Sequence, residues 1–205
     1  MPAALAVAAP APPDIAARAA SATLSCIART GLARLTVDDV AREAGVSRAT
    51  LYRAFPSKQA LVAAAAGHEA ARVFGLIAEA TADASSLDDV VTAVITVGAR
   101  ALRASAALAF VATHEPHRLA PHLEFAGGDA LLGRLARGLA PVFRGWVADP
   151  ERAAEWVARV GLCALLSPAP LVDPIDDAAV RRFVATYVTP GLSTPDVATP
   201  DPEEG

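Results

Sequence analysis

The sequence is short of several things at once. Its 205 residues include two cysteines, one methionine, one lysine and 5% aromatics. Two cysteines, Cys26 and Cys163, exclude a disulfide scaffold and a four-cysteine zinc site, and both read as small buried hydrophobes. Few aromatics and only short β-branched runs argue against a β-sandwich or barrel. No uninterrupted apolar run approaches the ~18 residues that span a bilayer, so no membrane partner is expected. There is no glycine-rich phosphate loop, no nucleophile elbow and no paired set of zinc ligands. The chain is therefore not expected to be an enzyme, and no cofactor or metal is assigned. Residues 1–13 hold four prolines and no basic residue. A secretory signal needs a positive start, so this segment reads as a disordered arm and the protein as cytoplasmic.

What is present is alanine, 51 residues by count, within a 54% hydrophobic chain. Alanine is the best helix former, so an all-α fold is expected. The formal net charge of −4 leaves no global basic field, and any attraction to nucleic acid must be local. Residues 14–69 carry seven basic and five acidic side chains, a net +2, against −6 for the rest. A positive N-terminal part on an acidic body suits a protein with two jobs.

Periodicity and stop signals divide the chain. A first helix is expected over 14–30, ended by Gly31. Thr36 should cap a second over 37–44, with Asp38 and Asp39 in its favourable first turn. Gly45 ends it, and Ser47 caps a third helix over 48–54. Pro56 and Ser57 precede a long fourth helix over 58–80. Further helices are expected over 87–113, 128–147, 151–167 and 176–189. The tail over 191–205, rich in Pro, Thr, Asp and Glu, reads as disordered.

The informative stretch is Thr36-Val-Asp-Asp-Val-Ala-Arg-Glu-Ala-Gly45-Val-Ser-Arg-Ala-Thr-Leu-Tyr-Arg-Ala-Phe55. It reads as two short helices joined by a tight turn. Val37, Val40, Ala41 and Ala44 share one inner face. Gly45 can take the left-handed turn conformation. Val46, Leu51 and Phe55 supply the facing surface. Arg48, Ala49, Thr50, Tyr52 and Arg53 are left outside, as major-groove reading requires. The plainer alternative is a helical hairpin with a solvated polar face. Lys58, the only lysine, then sits at a helix N-terminus, where free amides also attract phosphate.

From about Ile15 to Val62 the chain resembles the TetR family of transcriptional repressors, most specifically at Leu51-Tyr52 and Lys58. The resemblance implies a three-helix helix-turn-helix DNA-binding domain over 14–68 and a helical ligand-binding and dimerisation domain over 69–190. It implies that Thr36 meets a phosphate and that Ser47 caps the recognition helix. Arg48, Ala49 and Arg53 would face bases, Thr50 and Tyr52 would touch phosphate or base edges, and Lys58 would clamp a phosphate. Ala54 departs from the family, which often has His or Tyr there, so one phosphate contact is expected to be missing. The implied partners are a palindromic double-stranded operator, a small-molecule effector and a second copy of the chain.

Beyond residue 70 the resemblance weakens, but the last two helices are similar to those that pair across the family's dimer. Trp156, Val160, Cys163, Val180, Phe183, Val184 and Tyr187 are the interface candidates, with packing inside one subunit as the alternative. Leu102, Phe110, His114, Phe125, Leu131 and Trp146 are candidates to line an effector pocket, against ordinary core packing. Their apolar character favours a lipophilic effector. His114, His117 and His122 lie within nine residues and raise the alternative of a metal-responsive regulator. Pro116 and Pro121 break any fixed helical ligand pair there, so a polar rim over the pocket is preferred. A helical interaction module without DNA binding is the third reading.

Overall fold

The computed structural model describes residues 13–115, 117, 131–166 and 172–192. Among them all regular structure is helical. The elements are α1 (Pro13–Arg34), α2 (Val37–Ala44), α3 (Arg48–Ala54), α4 (Lys58–Thr81), α5 (Leu87–Ala104) and α6 (Ala106–His114). After an interval come α7 (Leu131–Phe143), α8 (Pro150–Leu166) and α9 (Asp177–Phe183). A π-helical turn, Val184–Val188, carries α9 into the short α10 (Thr189–Leu192). Most of the expected arm and of the expected tail, and His122 and Phe125, lie outside the described residues, and Pro13 of the arm opens α1.

The contacts divide the chain into two units, one from residues 1–75 with 100–131, the other from 76–99 with 132–205. This differs from the expected boundary at 68/69. The reason is α6, whose Ala107 and Val111 are buried in one core with Ala19, Ile27, Val40, Leu51 and Leu61. That core is built from small residues on α1 and α2, so the helices approach closely. Leu51, fully buried, is its anchor on α3.

The first helix meets its expected stop. Gly31 leaves helical geometry at φ 80° and ψ 168°, a conformation that favours glycine, before one last turn to Arg34. The expected helix over 87–113 is two helices. Ser105 interrupts it with an extended backbone (φ −77°, ψ 104°), and its hydroxyl bonds Glu69.

The second unit buries Val90, Val91, Val94 and Ile95 of α5, Phe143 of α7, Val157 of α8, and Val180, Val184 and Val188. Ile95 lies 3.8 Å from where a Cβ on Gly161 would stand, so α5 and α8 approach closely there. Asp176 caps α9 by accepting from the amides of Ala178 and Ala179, both at 3.0 Å. An Arg181–Asp89 ion pair at 2.6 Å ties α9 to the start of α5.

By length and hydropathy α4 is apolar enough to cross a membrane, although no uninterrupted run suggested it. Its alanines raise the average without making a continuous apolar surface. A buried Glu69, paired with Arg72 at 2.8 Å, sits in its middle. Such a pair is costly in hydrocarbon and ordinary in a water-exposed helix.

Candidate nucleic-acid interface

The helix-turn-helix is assembled by local chemistry. Thr36 Oγ1 accepts from the Asp39 amide at 3.1 Å and donates to Asp39 Oδ2 at 2.6 Å. That hydroxyl and the neighbouring Arg42 hold the Asp39 carboxyl below its ordinary range. Gly45 adopts the left-handed conformation (φ 63°, ψ 37°), and the Val46 amide closes the turn onto the Ala41 carbonyl at 3.0 Å. Ser47 Oγ caps α3 by accepting from the Thr50 amide at 3.1 Å. Each such cap stabilises its helix by about 1 kcal/mol.

Longer-range contacts pin the turn. The Arg18 guanidinium donates to the carbonyls of Ala44 at 2.5 Å and Gly45 at 3.1 Å. Arg29 pairs with Glu43 at 2.7 Å, which holds the Glu43 carboxyl below its usual range. Beside this pair Cys26 is buried, and burial pushes its thiol up. Val40, Ala41, Ala44, Leu51 and Phe55 are buried as expected, with Val37 and Val46 packed partly against them.

On the opposite side of α3, Arg48, Ala49 and Arg53 are exposed, Tyr52 is 50% exposed, and Thr50 is half-buried. Tyr52 is a large side chain that keeps half of its surface open. The expected DNA-facing set on α3 is thus one continuous surface, with the Thr36 cap exposed on α2. Two of its cations are not idle. Arg48 pairs with Asp38 at 2.9 Å. Lys58 Nζ donates to the Ala33 carbonyl at 3.2 Å, at the end of α1. Ser57 Oγ takes the Ala60 amide at 3.1 Å, so one of the free amides expected at the start of α4 is already satisfied.

The remaining candidates separate. Leu102 and Phe110 are half-buried in the first unit, and His114 is exposed with its ring 4.5 Å from that of Phe110. Phe110 packs on α1, its Cε1 2.7 Å from where a Cβ on Gly31 would stand. Trp146 follows α7 in the second unit and is 38% exposed. The Leu131 side chain is not among those described. His114 Nδ1 lies 3.1 Å from the Phe110 carbonyl oxygen. No group of three metal-ligating side chains occurs among the described residues.

Of the seven interface candidates, Trp156, Cys163 and Tyr187 are exposed, and Val160 and Phe183 are half-buried. Tyr187 is 70% exposed, with its ring 5.6 Å from that of Phe183. Val180 and Val184 are fully buried within the one chain. Cys163 is exposed rather than buried. Sequence reasoning missed Asp38, Arg18 and Glu115. Asp38 was seen only as a first-turn acid, and the other two act across long separations.

Residues 19–65 match the family model described as bacterial regulatory proteins, tetR family. Two uncharacterized HTH-type transcriptional regulators from strains of Mycobacterium tuberculosis are each 33% identical to the chain over 167 residues. The match spans 77% of this chain and 75% of theirs. The fold is similar to that of the TetR family repressor AlkX from Dietzia sp., implicated in biodegradation of n-alkanes. The TM-score is 0.65 at 22% identity, over 87% of this chain and 96% of that one. It is also similar to the R. erythropolis TetR-family repressor QsdR, with a TM-score of 0.57 at 19% identity, over 87% and 96%.

Proposed function

Since the chain belongs to the tetR family of helix-turn-helix transcriptional regulators, a family of regulators and not of enzymes, we propose that it is a homodimeric repressor that binds a palindromic operator and is released by a small lipophilic effector. The observation that carries this reading is the exposed Arg48, Ala49, Tyr52 and Arg53 surface of a capped α3 whose inner face is pinned by Leu51 and Phe55. Arg48 and Arg53 supply guanidinium forks that suit guanine, and the Ala49 methyl suits thymine. Thr36, Thr50 and Tyr52 supply hydroxyls for phosphate or base edges, Ser47 holds the helix end, and Lys58 supplies a phosphate clamp.

Dimerisation is assigned to α8 and the α9–α10 stretch, through Trp156, Cys163, Tyr187, Val160 and Phe183. Exposed Trp and Tyr on consecutive helices support it, because these side chains favour apolar contact with one polar tip. Two-fold symmetry then presents two recognition helices to half-sites about one DNA turn apart. The effector is assigned to the first unit, beside Leu102 and Phe110 with His114 at the edge, where apolar side chains favour a lipophilic molecule. A domain change near residues 68/69 and a cytoplasmic site of action belong to the same reading.

The test is a fluorescence-anisotropy titration of the DNA upstream of the protein's own gene, with acyl and alkyl compounds then added to the complex. Specific binding that one of these compounds reverses supports the reading. Salt-sensitive binding with no preference over a random duplex contradicts it.

A further inference from the structure

The last turn of α1 is held at Ala33 from two sides, by Glu115 and by Lys58. The Ala33 amide donates to both carboxylate oxygens of Glu115, at 3.1 and 3.2 Å, across 82 residues of sequence. The carbonyl of the same residue accepts from Lys58 Nζ at 3.2 Å. Glu115 is buried and forms the C-terminal cap of α6. A carboxylate so placed forms a charge-assisted bond, stronger than a neutral one. The seat is shaped for it. A Cβ on Gly31 would stand 2.5 Å from Glu115 Oε1 and 2.7 Å from Phe110 Cε1. Glycine at 31 thus both permits the break in α1 and leaves room for the end of α6.

We propose that Glu115 is a positioning residue for DNA binding: through Ala33 it fixes the turn whose carbonyl holds Lys58 ready for the phosphate backbone. The residue touches no DNA. It sets where the Ala33 carbonyl stands, and that carbonyl sets the resting place of the ammonium group. Glu115 directly follows the helix that carries Phe110 and His114, so a shift of α6 reaches Lys58 through two hydrogen bonds. The inference rests on the reading of Lys58 as a phosphate contact.

The experiment is a double-mutant cycle on DNA affinity and on its salt dependence, using the duplex that the wild-type protein selects from a random pool. Lys58→Ala alone tests the underlying reading and should lower the slope of log K against log salt by about one per subunit. Glu115→Ala should reproduce most of that loss, weakening binding about three- to tenfold. Glu115→Gln keeps an acceptor for the Ala33 amide and should restore most of the affinity. The double variant Lys58→Ala with Glu115→Ala should bind no more weakly than Lys58→Ala. Additive losses would overturn the proposal and leave Lys58 as a clamp that needs no Glu115. An unchanged affinity and slope in Lys58→Ala would overturn both. Should Glu115→Ala fail to fold, the wild-type protein gives the second readout. Adding the duplex should shift the Ala33 amide resonance in wild type and not in Lys58→Ala, and an identical response in both overturns the proposal.

Discussion

Arg48 reaches back to Asp38, its Nη2 2.9 Å from the Asp38 Oδ2, so the arginine at the start of α3 is paired to α2 within the free chain. Both side chains are exposed, at 68% and 39%, and such pairs alter an equilibrium by less than about fivefold. DNA phosphates and guanine can therefore compete for Arg48. Asp38→Asn should raise DNA affinity by up to about fivefold, measured by anisotropy. A fall in affinity would mean that Asp38 instead aims Arg48 at its base.

Arg48→Ala should relax preference at one base pair of each half-site, at a cost of about 1–3 kcal/mol for the preferred base. Binding measured against a set of single-substitution duplexes checks it. Full retention of preference at every position would make Arg48 a backbone contact.

Lys58→Ala should behave in the opposite way. As the proposed phosphate clamp its ammonium group would meet backbone rather than bases, so affinity should fall about equally for all sequences, with a shallower salt dependence. Altered sequence preference with unchanged salt slope would contradict the assignment.

Trp156 and Tyr187 are 45% and 70% exposed on the single chain. Replacing both with Glu should leave the helical signal largely intact, because neither is among the buried core residues. In a dimer interface the buried charges would cost several kcal/mol. Light scattering should report a monomer, with DNA binding lost. A variant that remains dimeric would place the interface elsewhere.

Asp89 accepts hydrogen bonds from Arg181 and from the hydroxyls of Ser86 and Ser85, in that order of effect, which hold its carboxyl far below the ordinary aspartate range. A folded-state pKa below the unfolded value stabilises the protein above the unfolded value and loses that contribution as pH falls. The unfolded reference is 3.8, so the contribution is full at neutral pH and declines below about pH 4. Asp89→Asn should lower Tm at pH 7 and lower it less at pH 3, by circular dichroism. An equal loss at both pH values would mean that the charge of Asp89 is not what matters.

Much of the first unit was legible because its signals are local. Thr36, Gly45 and Ser47 each act within four residues of themselves, and their chemistry names the turn. The inner face of Val40, Ala41, Leu51 and Phe55 followed from helical spacing. Ser105 was not legible, since the apolar period runs through it and its partner Glu69 lies on another helix. Glu115 and Ala33 are 82 residues apart, and no local pattern marks such a bond. Spacing likewise put Val180 and Val184 on an apolar stripe, but it does not say whether the chain itself or a partner covers that stripe. The chain covers both residues, and Tyr187 beside them is left open.

The most direct test of the account is selection of bound DNA from a random-sequence pool, with wild type and Arg48→Ala in parallel. The wild-type protein should enrich a two-fold symmetric site whose half-sites are centred about one helical turn, or a multiple of it, apart. Arg48→Ala should enrich the same site with one position per half-site degenerate. Enrichment of no common sequence by the wild-type protein, or of an unsymmetric single site, would contradict the account.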